Sequence, residues 1–378
     1  MDRLIKQSWW KILSVLILLY VFIVGMLVPL KPNVTTVTPS FAKAGERVEL
    51  QVTGYNTSFT ESPNELRAWL KLDSLYGIQM TDAVVKNDQQ ATLIFELPTG
   101  MPTSDKIASL ALIMDSPAGS FVRPSALSVE QTTIDPEAAI PAWSSAPITG
   151  IHFYEGMTYP FRNILAETIR NTYFHVSLWL AMMLIFIAAV VYAIKYLYLQ
   201  SKGGSLERET LETINIAVSA RERADFWSQS LTIAGLVFGL LGLVTGALWA
   251  KYTWGSWWSW DIKQFTTLIA LLIYAGYFVL RAAFPDPEGR ARISAVYNIF
   301  AFAALIPLIY ILPRLSESSL HPGNGGNPAI GSDDLDNTMR MVFYPAIIGW
   351  TLFGGWLASL FYRSRVVEQQ IIHAEDLK

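Results

Sequence analysis

Six stretches of the chain are almost wholly apolar and long enough to cross a bilayer, and a segment patterned differently separates the first two. The apolar runs cover about 10–30, 176–198, 228–249, 264–282, 294–312 and 342–362. A helix needs about 20 residues to span the hydrocarbon core, and each run is near that length. None alternates as a membrane-barrel strand must, whereas a helix satisfies its own backbone groups inside lipid. The first run follows Arg3, Lys6 and Lys11, as a signal peptide would, but it continues to Leu30 with no small-residue cleavage site before Lys31-Pro32. Residues 1–32 therefore read as a retained membrane anchor.

Charge in the short connections sets the orientation, because cytoplasmic loops collect Lys and Arg. The 199–227 loop carries Lys202, Arg208, Arg221 and Arg223; the 283–293 loop carries Arg290 and Arg292; the C-terminal end begins with Arg363 and Arg365. The alternate loops, 250–263 and 313–341, are poorer in excess positive charge. Both termini are thus expected inside, with residues 31–175 and the two alternate loops outside. The expected fold class is an all-α polytopic membrane protein of six transmembrane helices, N-in and C-in, carrying an inserted extracytoplasmic β-sandwich. The sandwich is read over 33–132, where runs such as Val48-Glu49-Leu50-Gln51-Val52 and Ala91-Thr92-Leu93-Ile94-Phe95 alternate between Gly, Pro, Asn and Asp clusters. Its opening, Pro39 to Glu46 followed by a strand and Gly54-Tyr55-Asn56, resembles immunoglobulin-like TIG domains. Residues 133–160, with Pro136, Pro141 and Pro147, read as a linker. The rest of the membrane domain follows at 161–365, and 366–378 is a cytoplasmic tail.

Composition agrees with lipid as the solvent. The chain of 378 residues is 52% hydrophobic and 16% charged, against roughly a quarter charged for soluble globular proteins. A net charge of -3 gives no argument for nucleic acid. The absence of cysteine excludes a disulfide framework, a thiol redox motif and a self-contained haem-attachment motif. No nucleotide-binding motif, paired acids or activated nucleophile stands out, so the chain reads as a binding and transfer protein more than as an enzyme.

Candidate chemistry concentrates in the outer loop 249–261, where five of the 13 Trp residues fall within twelve positions. Were this segment helical, Trp254, Trp257, Trp258 and Asp261 would share one face at i, i+3, i+4 and i+7. With Trp260 they would offer a broad, rigid apolar surface suited to a flat conjugated ligand. Of four histidines, the topology puts His175, at the outer start of the second span, and His321, in the outer loop before the sixth, on the side of the Trp loop. Two neutral imidazoles flanking an aromatic platform are what axial ligation of a haem iron requires. Arg170, Lys251, Lys263 and Arg314 are candidate partners for haem propionates. Asp261, of like charge, suits capping of the fourth span or a bond to a Trp N–H. His152 reads as an exposed polar residue at the linker's end, and His373 lies on the cytoplasmic side.

The run Trp254-Gly255-Ser256-Trp257-Trp258-Ser259-Trp260-Asp261 is similar to the Trp-rich signature of the CcmC/CcsA family, the haem-handling membrane proteins of cytochrome c biogenesis. The resemblance extends through Arg170 to Val176, Thr245 to Trp249 and Ile306-Pro307, with His321 in the place of the second outer histidine. It implies that His175 and His321 are axial ligands of haem b and that the Trp loop cradles the haem, beside which Arg170 and Lys263 remain the candidate propionate partners. It also implies a bacterial inner-membrane location with the site on the periplasmic side. The implied partners are a CcmE-like periplasmic haem chaperone and CcmAB-like ABC transporter subunits. The chain departs from the family pattern in the insertion at 33–150, in Lys263 where Arg is frequent, and in Val-Ser after His175 where Val-Pro is frequent. The expected function is delivery of haem to the chaperone. The alternatives are a CcsA-type haem lyase component presenting haem directly to apocytochrome, and an adhesion or sensory receptor built on the outer domain.

Overall fold

A computed structural model describes residues 2–144, 148–154, 156–202, 208–211, 216–316, 319–321 and 335–376. The chain forms two compact units, one of Met1–Leu27 with Glu167–Lys378 and one of Val28–Ala166. In chain order the elements are α1 (Asp2–Leu27), β1 (Asn33–Thr38), β2 (Phe41–Lys43), β3 (Arg47–Tyr55), β4 (Arg67–Lys71), β5 (Gly77–Gln79), β6 (Asp82–Asn87), β7 (Gln90–Glu96), β8 (Ile107–Ser116), β9 (Gly119–Glu130) and α2 (Pro136–Trp143). There follow α3 (His175–Ser201), a short hairpin of β10 (Arg208–Leu211) and β11 (Ile216–Ser219), and then α4 (Ala220–Trp254), α5 (Ile262–Ala283), α6 (Pro287–Ile306), α7 (Leu312–Leu315) and α8 (Asn337–Asp376).

The helical unit carries all six expected spans, at Ser8–Leu27, Ala166–Ser201, Ala220–Trp254, Ile262–Ala283, Pro287–Leu315 and Asn337–Ile371. Only 17% to 44% of each apolar window is buried inside the unit, so most of the apolar surface needs a covering of lipid. Leu16, Val191, Val244, Val279 and Phe300 are among the side chains left outward. The chain is a multi-pass membrane protein. α1 lies along α8, tied by the Ser14 hydroxyl donating to the Gly349 carbonyl at 3.1 Å.

α3 packs along α4 through a ladder of glycines on α4. A Cβ at Gly235 would strike the Phe186 ring at 2.4 Å, one at Gly239 would meet Met182 Sδ at 3.2 Å, one at Gly242 would strike Trp179 at 2.7 Å, and one at Gly246 would strike His175 at 2.6 Å. Four successive large side chains of α3 thus lie in gaps where α4 has no Cβ, which lets the two backbones approach closely. α4 begins with a capping box between Ser219 and Glu222 and ends at Gly255, whose φ of 84° is the left-handed conformation that glycine adopts without penalty.

The second unit holds two sheets, ordered β1-β3-β7-β6 and β2-β9-β8-β4-β5. Neighbours are antiparallel except for β2 against β9, which is parallel. Alternation decides what faces inward: Val48, Leu50 and Val52 of β3 and Leu93 and Phe95 of β7 share one apolar core with Leu70, Leu112, Met114 and Leu127 of the other sheet. The segment read as a linker carries α2, capped by Asp135, and Trp143 of α2 lies in that core with its indole N–H donating to the Gly100 carbonyl at 2.8 Å. Further on, the His152 N–H donates to Asp115 Oδ1 at 2.7 Å, and Tyr159 pairs with Leu30. Burial of Trp143 and the partners of His152 and Tyr159 are long-range contacts, which a Pro-rich composition does not report.

Candidate functional site

Two of the histidines singled out from the sequence, His175 and His321, each anchor a cluster beside the last turns of α4. The first is built on His175, the opening residue of α3. A 3-10 stretch, Ala166–Tyr173, leads into it and is fixed to three helices. The Arg170 guanidinium donates to the Gly25 carbonyl of α1 at 2.9 Å, Asn171 donates to the Thr245 carbonyl of α4 at 2.9 Å, and Trp350 of α8 donates to the Tyr173 carbonyl at 3.2 Å. His175 Nδ1 lies 3.0 Å from the Gly242 carbonyl and 3.2 Å from the Thr245 hydroxyl. A carbonyl only accepts, so Nδ1 carries the proton and Nε2 keeps its lone pair. The ring stands edge-on to Trp249 at 5.7 Å and to Trp179 at 6.1 Å between centroids. The Trp249 indole N–H is itself held by the Thr168 hydroxyl at 3.0 Å.

The second cluster is built on Asp261, the N-cap of α5. Its carboxylate accepts from the Lys263 N–H at 2.9 Å, the Ser319 hydroxyl at 2.9 Å, the Leu320 N–H at 2.7 Å and His321 Nδ1 at 2.7 Å. Burial pushes this carboxyl up, but the hydrogen bonds from His321, Leu320 and Lys263 outweigh it and hold the group well below the usual carboxylate range. Asp261 is therefore ionised and accepts only, so His321 Nδ1 is the donor and Nε2 again keeps its lone pair. The His321 ring packs against Trp254 at 4.9 Å between centroids. Trp249 and Trp254 both belong to the last turns of α4.

The Trp-rich segment is not the continuous helix that its spacing suggests. α4 stops at Trp254 because Gly255 turns the chain into the left-handed region, and residues 255–261 form an irregular connection to α5. The shared face of Trp254, Trp257, Trp258 and Asp261 does not form. Trp258 and Trp260 instead meet edge to face at 5.7 Å, Trp260 has a positive φ of 56°, and Trp257 and Trp260 are exposed. The Ser259 N–H donates to Gln264 Oε1 at 3.0 Å, anchoring the connection to α5.

Arg170 is spent inside the fold, on Gly25 and on Glu167 at 2.5 Å. Lys263 is half-buried in the first turn of α5. The side chain of His373 lies outside the described residues. His152 belongs to the β-rich unit, where its ring faces Asp115 Oδ2 at 3.0 Å. Thr245 and Gly246, which help to hold the His175 ring, fall within the segment of family resemblance, but Gly242 and Trp179 were not singled out from the sequence. The one signal for them is the run of glycines at 235, 239, 242 and 246 along one side of α4.

This donor set fits haem. Two imidazoles each have Nδ1 engaged by an acceptor, and among the described residues no hydrogen bond engages either Nε2. Second partners of this kind orient a metal-binding histidine and raise its basicity. Indole surface adjoins both rings, and the buried Trp258 indole N–H has no partner among the described residues, leaving a donor for a polar group of a ligand.

Residues 162–321 match the family described as Cytochrome C assembly protein. Among curated proteins, the chain is 37% identical over 123 residues to the cytochrome c biogenesis protein CcsA of Synechococcus sp. (strain RCC307), covering 32% of this chain and 37% of that one. It is 30% identical over 131 residues to heme exporter protein C of Paracoccus denitrificans (strain Pd 1222), covering 35% of this chain and 53% of the relative. The corresponding protein of Haemophilus influenzae is 28% identical over 135 residues, with 36% and 54% covered. The aligned region thus spans between about a third and a half of the length of these relatives.

Proposed function

We propose, from the match of residues 162–321 to the cytochrome c assembly protein family, that the chain binds haem b as cargo at the outer, periplasmic face of the bacterial inner membrane and hands it to a periplasmic chaperone during c-type cytochrome biogenesis. The observation that carries this reading is the pair His175 and His321, each with Nδ1 committed to an acceptor and Nε2 left to ligate, beside Trp249 and Trp254. The imidazoles would hold the iron, and the indoles would supply apolar area against the macrocycle. The exposed Trp257 and Trp260 extend the aromatic surface outward, where a receiving protein can approach. Among the described residues no group of three or more His, Asp or Glu is arranged to hold a bare metal ion, and the chain has no nucleotide-binding motif. Energy for release would come from a partner of the ABC-transporter kind. Lys263 and Arg314, on the same side as the Trp loop by the charge-bias topology, are candidate cations for the propionates.

A second reading has support in the similarity to CcsA: presentation of haem directly to apocytochrome thiols without a chaperone. Both readings predict the same first result. Detergent-purified protein from haem-replete cells should show a low-spin bis-imidazole absorbance spectrum, with His175→Ala and His321→Ala each shifting it or reducing haem content severalfold. A haem-free wild-type protein would sink both readings and turn attention to the β-rich unit as a receptor. Transfer to a purified chaperone, against transfer to a Cys-containing apocytochrome peptide, then separates the two.

A further inference from the structure

The two imidazoles are held by different chemistry. His175 Nδ1 faces a neutral carbonyl and a hydroxyl, and the ring is wedged between Trp249, Trp179 and the bare backbone of Gly246. His321 Nδ1 faces a carboxylate, and the same carboxylate takes the Ser319 hydroxyl and the Leu320 N–H. Four groups on three consecutive residues and on the first turn of α5 thus converge on one side chain. We propose that Asp261 is a positioning residue that sets the two ligands apart: it anchors the 319–321 segment and makes His321 the stronger electron donor, leaving His175 as the weaker donor, held by packing. The inference rests on the haem reading above.

The physical basis is charge. A carboxylate behind an imidazole pulls the Nδ1 proton toward itself, raises electron density on Nε2 and favours the oxidised iron, whereas a backbone carbonyl does so far less. Charge-assisted bonds are also the stronger ones, so removing the carboxylate charge loosens the segment that carries His321. Asp261→Asn is the informative change, because Asn caps a helix as well as Asp does. The start of α5 is then retained while the negative charge is lost.

The test is a redox titration of the haem-loaded, detergent-purified full chain, paired with amide hydrogen exchange at Leu320 in the haem-free chain. The expected result for Asp261→Asn is a more positive midpoint potential and about ten- to hundredfold faster exchange at Leu320. A purely structural cap would leave the potential where it is. An unshifted potential with wild-type exchange overturns the inference. Failure of the wild type to carry haem overturns the reading beneath it, and Leu320 exchange then decides the anchoring part alone.

Discussion

At the scale of single residues, the site depends on what is missing as much as on what is present. Gly246 faces the His175 ring so closely that a Cβ would lie 2.6 Å from Cε1 and 3.2 Å from Nδ1. The ring has little room to yield, since it is bonded to Gly242 and Thr245 and faces two indoles. Gly246→Ala should therefore cost about 1–3 kcal/mol through overpacking and weaken the haem spectrum by moving Nε2. Gly355→Ala is the matched control: its Cβ would meet nothing within 4 Å, and the gain in helix propensity is worth up to about 1 kcal/mol. Thermal unfolding in detergent, read with the absorbance spectrum, checks both. A Gly246→Ala protein with wild-type melting and spectrum would show that α3 can shift to accept the methyl and that the ladder does not set the position of His175.

At the scale of elements, some features were legible in the pattern and others were not, for reasons that differ. The six spans follow from length and apolarity alone, because lipid leaves a lone chain few alternatives to the helix. The capping role of Asp261 was legible from its place ahead of an apolar run. Its hold on His321 was not, because the two are brought together only by the return of the chain between α6 and α8. The helical face through Trp257 and Trp258 failed on a local residue, Gly255, whose αL conformation ends α4 at Trp254, seven residues before Asp261, the last position of that face. The contact between α4 and α5 also contains an ion pair that composition does not announce. Arg281 Nη1 donates to Asp225 Oδ1 at 2.7 Å and a second guanidinium nitrogen reaches Oδ2, with each side chain about 10% exposed. Breaking a buried pair from one side strands a charge and costs about 3–5 kcal/mol, whereas replacing both partners with apolar groups is often neutral. Arg281→Met should accordingly destabilise the helical unit by that amount, and Asp225→Leu with Arg281→Met should recover most of it. A single variant as stable as the double variant would mean that water reaches the pair.

At the scale of the whole molecule, His175, His321 and the Trp loop fall in one compact unit and the β-rich segment forms another. The family match begins at residue 162, and the β-rich unit is Val28–Ala166. Its two ends are held together by Leu30 and Tyr159, with the Lys31 N–H donating to the Tyr159 carbonyl at 2.8 Å. An inserted unit whose ends meet can fold around its own core without straining its host. Its stability should then have its own dependence on pH. The Asp115 side chain is fully buried and accepts from Arg67 and from the N–H and ring of His152. Burial pushes its carboxyl up, but these bonds outweigh burial and hold it below the usual range. A depressed carboxyl stabilises the fold fully above its unfolded value of about 4, and that stability is lost as pH falls through the lower folded value. The melting temperature of an isolated 28–166 fragment should therefore drop as pH is lowered below about 4. Asp115→Asn should lower the plateau at neutral pH by about 1–3 kcal/mol, since Arg67 loses its counter-charge, and should flatten the acid limb. In the full chain the same substitution should leave the haem spectrum unchanged, because the hydrogen-bond partners of His175 and His321 all belong to the other unit. A spectrum that shifts with Asp115→Asn would mean that the two units communicate, and the β-rich insertion would then be part of the haem cycle itself.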